Sequence, residues 1–223
     1  MNDKELVAKH AAKLVKDGML VGLGTGSTAD FFIAELARLR TEQNLQITAV
    51  SSSIMSMRKA QALAIPLMSI EHVTQLDLYV DGADEVTPDN TLLKGQGSDL
   101  VREKLLARAC EQFLVLVDQS KMVDHIGEHF PIPVEVMPFA WQMVQQSLEK
   151  LGGRAELRKM GNGLAVTSYG SLVLDVIFEA HQECDEIDFI LNSMPGVVEH
   201  GVFRGLADIV FLAVDGKVQE ILN

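Results

Sequence analysis

Short apolar runs that alternate with amphipathic segments constrain the fold of this chain most strongly. The runs at 19–23, 76–80 and 113–117 are almost wholly apolar, which is typical of strands buried on both faces of a parallel sheet. Helical periodicity lies between them, for example over 29–40 and 55–63. Strands that alternate with helices predict βαβ units, so we expect an α/β fold with a Rossmann-like parallel sheet.

The sequence pattern changes after Gly127, where three prolines cluster within eight residues at Pro131, Pro133 and Pro138. Short strands and two helices then follow in an order that resembles the split βαβ arrangement of ferredoxin-like α+β domains. The last apolar run, 208–214, predicts a strand that returns to the first sheet. We therefore predict a Rossmann-like domain over 1–129 and 205–223, with a smaller inserted α+β (ferredoxin-like) domain over 130–204.

Composition narrows the possible partners. The hydrophobic content of 48% suits a folded core, and the net charge of −12 argues against non-specific binding to nucleic acid or to anionic membranes. The two cysteines, Cys110 and Cys184, lack the spacing of metal ligands. The sequence has no secretion signal and no apolar run of about 20 residues. We expect a cytoplasmic protein that acts on a small molecule, which can be anionic if the site is locally positive.

A glycine-rich loop follows the first predicted strand and precedes a helix. Backbone N–H groups at a helix N-terminus attract phosphate, and the hydroxyls of Thr25, Ser27 and Thr28 add donors. The loop is not a dinucleotide-binding fingerprint, because Ser27 stands where the third glycine would fall and the second strand ends in serines rather than an acid. It also lacks the Gly-Lys pair of a P-loop. Phosphate binding and a simple strand-to-helix turn both remain open from this loop alone.

Two acids, Asp81 and Asp84, follow the strand predicted at 76–80, with Gly82 and Ala83 between them. Asp and Gly are common in turns, which is the simpler interpretation. However, ligands of open α/β sheets bind at the carboxyl ends of strands, and this position favours a functional role. Metal binding by the acids is possible, but no histidine lies nearby in the sequence.

A lone cation, Lys94, begins a flexible loop ten residues further on, and a helix that carries Glu103 follows. We expect Ser98 to cap this helix. Around the helix, Glu103 falls among small apolar residues, and a buried carboxylate of this kind suits a general base. A surface glutamate among Arg102, Lys104 and Arg108 is the simpler interpretation of the wheel position alone.

Two further segments require a choice between function and surface. Lys121 follows the strand at 113–117, so we expect it at the same sheet edge as Asp81, although an ordinary surface lysine would look the same. The segment 125–129 matches H-x-x-E-H, an inverted zinc-protease motif. That chemistry needs both histidines on one helix face, and Gly127 with the prolines that follow makes a helix improbable. We therefore predict a solvated loop and no metal site.

Together these segments resemble ribose-5-phosphate isomerase of type A. The likeness runs in chain order over almost the whole sequence, and the ordered set is far more specific than any single motif. The segments are GTGST (24–28), YVDGADE (79–85), KG (94–95), REK (102–104), DQSK (118–121), FPIPVEV (130–136), LGG (151–153) and PGVV (195–198).

The resemblance implies an aldose–ketose isomerase of the non-oxidative pentose phosphate pathway that interconverts D-ribose 5-phosphate and D-ribulose 5-phosphate. It implies no metal or organic cofactor, and a homodimer or homotetramer. Glu103 would move a proton between C1 and C2 through an enediolate, and Lys94 would stabilise the oxyanion. Asp81 and Asp84 would contact sugar hydroxyls and assist ring opening. The implied substrate-binding residues are Thr25, Gly26, Ser27, Thr28, Asp81, Gly82, Ala83, Asp84, Lys94, Gly95, Gln96, Gly97, Lys121 and, by its position in the first helix, Lys4.

The sequence departs from the family pattern in the Lys94 loop. The family loop usually reads Lys-Gly-Gly-Gly, and Gln96 here replaces the middle glycine. A positive φ at Gln96 would strain the backbone, and an inward side chain would narrow the site or add an amide. A non-catalytic sugar-phosphate sensor on a related fold is the alternative. We expect no added module of the kind that sensors usually carry, and this expectation favours the isomerase.

Overall fold

The computed structural model describes residues 2–178 and 183–222. Six helices lie in these residues: α1 (Asp3–Ala12), α2 (Ser27–Gln43), α3 (Ile54–Ala62), α4 (Leu100–Ala109), α5 (Trp141–Lys150) and α6 (Cys184–Ser193). Fifteen strands accompany them in the described part of the chain: β1 (Leu20–Leu23), β2 (Thr48–Ser51), β3 (Leu76–Gly82), β4 (Glu85–Val86), β5 (Leu92–Leu93), β6 (Cys110–Asp118), β7 (Ile132–Val136), β8 (Gly153–Leu157), β9 (Lys159–Met160), β10 (Gly163–Leu164), β11 (Leu172–Phe178), β12 (Val197–His200), β13 (Val202–Phe203), β14 (Ile209–Val214) and β15 (Lys217–Leu222).

The chain forms two compact units. The first unit comprises Met1–Ala83, Arg102–Met122 and Gly205–Asn223, and the second comprises Asp84–Val101 and Val123–Arg204. The segments 84–101 and 123–129 therefore group with the second unit. The domain boundaries that we drew from the sequence at 129/130 and 204/205 stay a prediction.

The first unit is built on a six-stranded sheet in the order β15-β14-β6-β3-β1-β2. All neighbouring strands are parallel except β14 and β15, which form an antiparallel pair at one edge. The predicted Rossmann-like sheet is thus confirmed, including the return of β14. From β1 the chain adds β2 on one side and then β3 on the other, so the strand order reverses between β1 and β3. Ligands of open α/β sheets bind at the carboxyl ends of the strands beside such a reversal.

Helices α1 and α2 supply much of the apolar layer on this sheet. Val7 and Ala11 of α1 and Phe32 of α2 are fully buried in the first core. The Asn2 side chain accepts a hydrogen bond from the Glu5 amide and so begins α1. The amphipathic pattern over residues 4–16 predicts a longer helix, but α1 ends at Ala12. The short apolar segment 67–69 predicts a further strand, but in the structure Leu67 forms an isolated bridge to Ala49 of β2.

The second unit contains a four-stranded antiparallel sheet in the order β12-β7-β11-β8. The chain runs β7–α5–β8–β11–α6–β12, which is the ferredoxin-like order that the sequence predicted. Helices α5 and α6 cover this sheet with Val144, Leu148, Ile187 and Leu191. A small three-stranded sheet, β13-β5-β4, also lies in this unit and was not predicted. None of the described helices is long and apolar enough to span a bilayer.

Candidate active site

The glycine loop connects β1 to α2 at the point where the sheet order reverses. The Gly24 amide donates to the carbonyl of Val80 at 2.9 Å, which draws the loop against the end of β3. A Cβ atom at Gly24 would lie 2.1 Å from Asp81 Oδ1 and 2.6 Å from Asp81 Cα. Only glycine permits this approach. Gly26 has φ +101°, a conformation that also favours glycine, and α2 begins directly after it.

Asp81 lies beneath this loop and supports it. Its Oδ1 atom accepts hydrogen bonds from the Thr25 amide (3.0 Å) and the Gly82 amide (2.8 Å), and its Oδ2 atom accepts one from the hydroxyl of Tyr79. Asp81 is only 1% exposed. The Asp81 carboxylate is thus largely occupied by hydrogen bonds within the protein. Ala83, which directly follows β3, is half-buried.

Two serines that were not among the predicted site residues hold the other side of the loop. Thr25 Oγ1 lies 2.7 Å from Ser53 Oγ and 3.0 Å from Ser52 Oγ, and both serines are buried. They stand at the carboxyl end of β2, which is the position where a dinucleotide fold carries its acid. Their position could have identified them from the sequence, because polar residues at the carboxyl end of a strand are candidates for a ligand site.

The N-terminus of α2 combines the features of an anion site. Its first N–H groups have no partner within the helix, and the helix dipole favours negative charge there. Lys4 Nζ donates to Ser27 Oγ at 2.7 Å, so an ammonium lies at the first residue of α2. Asp30 adds an opposing charge in the first turn, but Lys59 Nζ lies 3.0 Å from its Oδ2. Lys4 was a weaker phosphate candidate, suggested by its position in the first helix, and the structure brings it to the loop.

Glu103 is buried on α4, with 4% of its surface exposed. Burial, followed by the negative charges of Asp81 and Glu103, raises the pKa of Tyr79 well above its usual value. The interpretation of Glu103 as a surface residue is wrong, and its neighbour Lys104 is buried as well, whereas Arg108 is exposed as expected.

Lys121 lies just beyond the carboxyl end of β6, as the sequence predicted. It ends a short 3₁₀ turn, Gln119–Lys121, directly after β6, and Asp118 caps that turn through the Ser120 amide. Because β6 is parallel to β3 and next to it, Lys121 and Asp81 lie at the same sheet edge. Lys121 is half-buried.

In the second unit, a short hairpin explains why Asp84 and Lys94 are ten residues apart. Strands β4 and β5 pair antiparallel, with Glu85 opposite Leu93, so Asp84 and Lys94 flank the open end of the hairpin. The Asp84 amide donates to the Leu93 carbonyl at 2.8 Å. Lys94 is 4% exposed, and its Nζ atom lies 5.7 Å from the centre of the Phe203 ring, which is within cation–π distance.

The loop after Lys94 takes its unusual backbone angles at residues other than Gln96. Positive φ values occur at Gly95 (+99°) and at Ser98 (+63°), while Gln96 has none. The Gln96 side chain is exposed. Gln96 therefore causes neither of the two problems that its presence suggested. The expected cap at Ser98 is wrong in position, because α4 begins at Leu100 and Asp99 directly precedes it.

The segment 125–129 is an irregular loop rather than a helix, as predicted. Buried Glu85 holds it, since its two carboxylate oxygens accept from the amides of Gly127 (2.6 Å), His129 (2.6 Å) and Phe130 (2.9 Å). Both histidines are about half exposed. Among the residues that the structure describes, no cluster of three or more His, Cys, Asp or Glu side chains has the geometry of a metal site.

Comparison with known proteins decides the family. The family model described as ribose 5-phosphate isomerase A (phosphoriboisomerase A) matches residues 48–217. A ribose-5-phosphate isomerase A of Thermosynechococcus vestitus is 46% identical over 222 residues, which cover 97% of this chain and 94% of that protein. The chain belongs to the ribose 5-phosphate isomerase A family. A relative of that name from Thermococcus kodakarensis is 39% identical over 98% of this chain and 96% of its own length.

Solved structures of ribose 5-phosphate isomerases share the whole fold. The enzyme of Methanocaldococcus jannaschii superposes with a TM-score of 0.93 at 38% identity, over 99% of this chain and 98% of its own. A D-ribose-5-phosphate isomerase solved in complex with phospho-erythronic acid superposes with a TM-score of 0.95 at 35% identity, over the full length of both chains. The chain is thus an enzyme of the ribose 5-phosphate isomerase A family with the fold of that family.

Proposed function

We propose that this enzyme interconverts D-ribose 5-phosphate and D-ribulose 5-phosphate through an enediolate, as a homodimer or homotetramer in the non-oxidative pentose phosphate pathway. The observation that carries the proposal is Glu103, a carboxylate buried in a chain that matches ribose-5-phosphate isomerases over nearly its full length. A general base for proton abstraction beside a carbonyl needs such an environment.

Glu103 carries the proton in this mechanism. Its carboxylate takes the proton from C2 of the open-chain aldose, and the electron pair of that bond forms the C1–C2 double bond of the enediolate. The carbonyl electrons at C1 move to its oxygen. The hydroxyl proton then passes from O2 to the negatively charged O1, Glu103 returns its proton to C1, and the electrons at O2 form the C2 carbonyl of the ketose. No net oxidation occurs, so the step needs no redox partner.

Lys94 and Asp84 act on the oxygens of the reacting carbons. An ammonium that is held in place before the reaction stabilises the negative charge that develops on the enediolate oxygen. The burial of Lys94 strengthens this effect, because a less polar environment screens its charge less. Asp84 contacts the sugar hydroxyls and assists ring opening.

The phosphate is held at the N-terminus of α2. The amides there, the hydroxyls of Ser27 and Thr28, and the ammonium groups of Lys4 and Lys121 provide donors of the right charge. We propose that Asp81 serves this end of the substrate, because its Oδ1 atom accepts from the Thr25 amide, while Gly82 and Tyr79 hold the carboxylate in place. Gly26, Gly82 and Ala83 border the substrate, as do Gly95, Gln96 and Gly97.

The phospho-erythronic acid bound to the relative supports this reaction. This compound is a four-carbon sugar acid phosphate, and its carboxylate has two oxygens and a negative charge on one planar carbon. An enediolate carries its oxygens and charge in a similar plane. We therefore expect phospho-erythronic acid to inhibit this enzyme in competition with ribose 5-phosphate.

A single substitution tests the role of Glu103. Glu103→Gln keeps the size of the side chain but removes its basicity, and we expect kcat to fall at least about 100-fold, in the range by which general bases contribute. The matched control is Glu111→Gln, at an exposed glutamate on β6. Circular dichroism checks that both variants fold. Turnover of the folded Glu103→Gln variant at the wild-type rate would remove Glu103 from the mechanism.

A chelator tests the chemistry. Ribose 5-phosphate isomerisation by the wild-type enzyme should proceed at the same rate with and without EDTA, since Lys94 rather than a metal stabilises the oxyanion. Loss of activity in EDTA that added magnesium or zinc restores would contradict the proposed mechanism.

A further inference from the structure

Arg158 of the second unit forms hydrogen bonds with the loop that follows Lys94. It lies between β8 and β9, and its Nη1 atom donates to the carbonyl oxygens of Gly95 (2.8 Å) and Gln96 (3.1 Å) and to Ser98 Oγ (3.1 Å). Its own main chain is held by β11, because the Arg158 amide donates to the Val173 carbonyl at 2.8 Å. The loop that carries Lys94 is therefore tied to a rigid strand through one side chain.

The remaining nitrogens of Arg158 are occupied by Asp175 on β11. Nε lies 3.0 Å from Asp175 Oδ2, and Nη2 lies 2.5 Å from Oδ1, which is a two-pronged ion pair. The Arg158 side chain is 9% exposed, and burial of a guanidinium at this depth requires such a partner. Asp175 thus holds the plane of the guanidinium, and only Nη1 is directed to the loop. A lysine cannot make both sets of contacts.

The two carbonyl contacts determine where the loop's amide groups point. In a trans peptide the C=O and the following N–H point in opposite directions. With the carbonyls of Gly95 and Gln96 directed to Arg158, the amides of Gln96 and Gly97 face away from it. The Gln96 amide indeed points to Asp84 Oδ2, at 3.4 Å. The contacts with Arg158 therefore direct both amides away from Arg158, and they direct the Gln96 amide toward Asp84.

We infer that Arg158 is a positioning residue for the isomerisation. It orients the peptide planes of 95–97, so that their amides and the preceding Lys94 are aimed at the oxygens of the reacting sugar. This role rests on the proposed function. It also accounts for Gln96 in a loop of glycines, because the contact uses the carbonyl of residue 96 and leaves its side chain in solvent.

Arg158→Lys tests the inference while it keeps a positive charge beside Asp175. We expect kcat to fall roughly 10- to 100-fold, the range that small misplacements of catalytic groups produce, with little change in KM. The inhibition constant of phospho-erythronic acid should rise by a similar factor. The control is Arg154→Lys on β8, where the arginine is exposed and pairs with exposed Glu156. The control should leave kcat, KM and the inhibition constant unchanged.

A second variant separates positioning from folding. In Arg158→Met/Asp175→Leu both charges are replaced by apolar groups, a change that buried ion pairs often tolerate. If this variant folds, its kcat should fall as in Arg158→Lys. The inference would be overturned if either variant folded and kept the wild-type kcat and the wild-type inhibition constant of phospho-erythronic acid. It would also be overturned if neither variant folded, because Arg158 would then serve the fold alone. A wild-type enzyme that does not isomerise ribose 5-phosphate would instead overturn the proposed function, and amide NMR shifts of 95–97 would still report the contacts with Arg158.

Discussion

The hydroxyl of Tyr79 helps to hold the glycine loop in place through Asp81. It donates to Asp81 Oδ2, while Asp81 Oδ1 holds the Thr25 amide. Tyr79→Phe keeps the ring, which stacks on Phe113 with centres 4.8 Å apart, and removes only the donor. We expect a loss of about 1–3 kcal/mol in the free energy of unfolding, the cost of a buried polar group left without its partner.

Urea unfolding measures this loss, and Tyr169→Phe is the matched control because Tyr169 is exposed. The control should change the free energy of unfolding by less than about 0.5 kcal/mol. We also expect a higher KM for ribose 5-phosphate in Tyr79→Phe, since the phosphate end of the site loses its support. Equal stability and equal KM in the two variants would show that Asp81 holds the loop without Tyr79.

The raised pKa of Tyr79 predicts how stability changes in alkali. Unfolded tyrosine ionises near pH 10, whereas folded Tyr79 keeps its proton there. Above about pH 10 the unfolded chain therefore binds fewer protons than the folded chain, and the free energy of unfolding falls as the pH rises. This decline should be shallower in Tyr79→Phe. Tyrosinate absorbance provides the check, because Tyr79, one of two tyrosines in the chain, should ionise only on unfolding.

Gln96 stands where the family usually has glycine, and the structure predicts that this difference does not affect catalysis. Its φ is not positive and its side chain is exposed. Gln96→Gly should therefore change kcat and KM by less than about twofold. It should lower the free energy of unfolding by about 0.4–1 kcal/mol, because glycine adds freedom to the unfolded chain. A several-fold rise in kcat/KM would show that the glutamine side chain obstructs the substrate.

At the scale of elements, the β1 loop approaches β3 so closely that Gly24 has no room for a side chain. Gly24→Ala would place a methyl 2.6 Å from the main chain of Asp81, so the loop or the strand must move. We expect a loss of at least about 1–3 kcal/mol, as overpacked cores show, together with loss of turnover. Gly82→Ala is the control for stability, because the nearest atom of the described residues beyond its chain neighbours, Leu116 O, would lie 3.7 Å from its Cβ, an ordinary contact. Thermal unfolding of the two variants should separate them clearly, and equal unfolding temperatures would contradict the steric argument.

The elements that the sequence predicted well are those buried on both faces. Strands β3, β6 and β14 are apolar runs whose burial leaves a signal at every position. β15 was missed because it is an edge strand of mostly exposed and half-buried residues. β4 and β5 were missed because each has only two residues, which is too short for any periodicity.

The residues of the candidate site were predictable from the sequence where they follow the end of a buried strand. Residues at strand ends, such as Asp81 and Lys121, follow from the rule that parallel strands present their carboxyl ends at one edge. Partnerships between distant segments do not follow from any local pattern. The contact of Lys4 with Ser27, that of Ser53 with Thr25 and that of Arg158 with Gly95 each depend on tertiary packing. Glu103 lay between the two cases, since its helix wheel was ambiguous and only packing showed it buried.

At the scale of the whole molecule, the net charge of −12 is the dominant electrostatic feature. A chain with this excess of acids repels itself when it is compact, and salt screens that repulsion. The Debye length falls from roughly 20 Å to about 6 Å when ionic strength rises from about 0.02 M to about 0.3 M, so distant like charges cease to interact. Sodium chloride should therefore stabilise this enzyme at neutral pH, and we expect its unfolding temperature to rise by roughly 2–4 °C, which corresponds to about 1 kcal/mol in a chain of this size.

The pH dependence of this salt effect distinguishes repulsion from other causes. Near pH 4.9, the isoelectric point expected from the sequence, acids and bases balance and screening has no net repulsion to remove. The rise in unfolding temperature should vanish there, or reverse as favourable ion pairs such as Lys59–Asp30 are screened. Chloride that stabilised the protein by binding at the N-terminus of α2 would stabilise it at both pH values. A rise of equal size at pH 7 and pH 4.9 would thus contradict the whole-molecule argument and assign the effect to a bound anion.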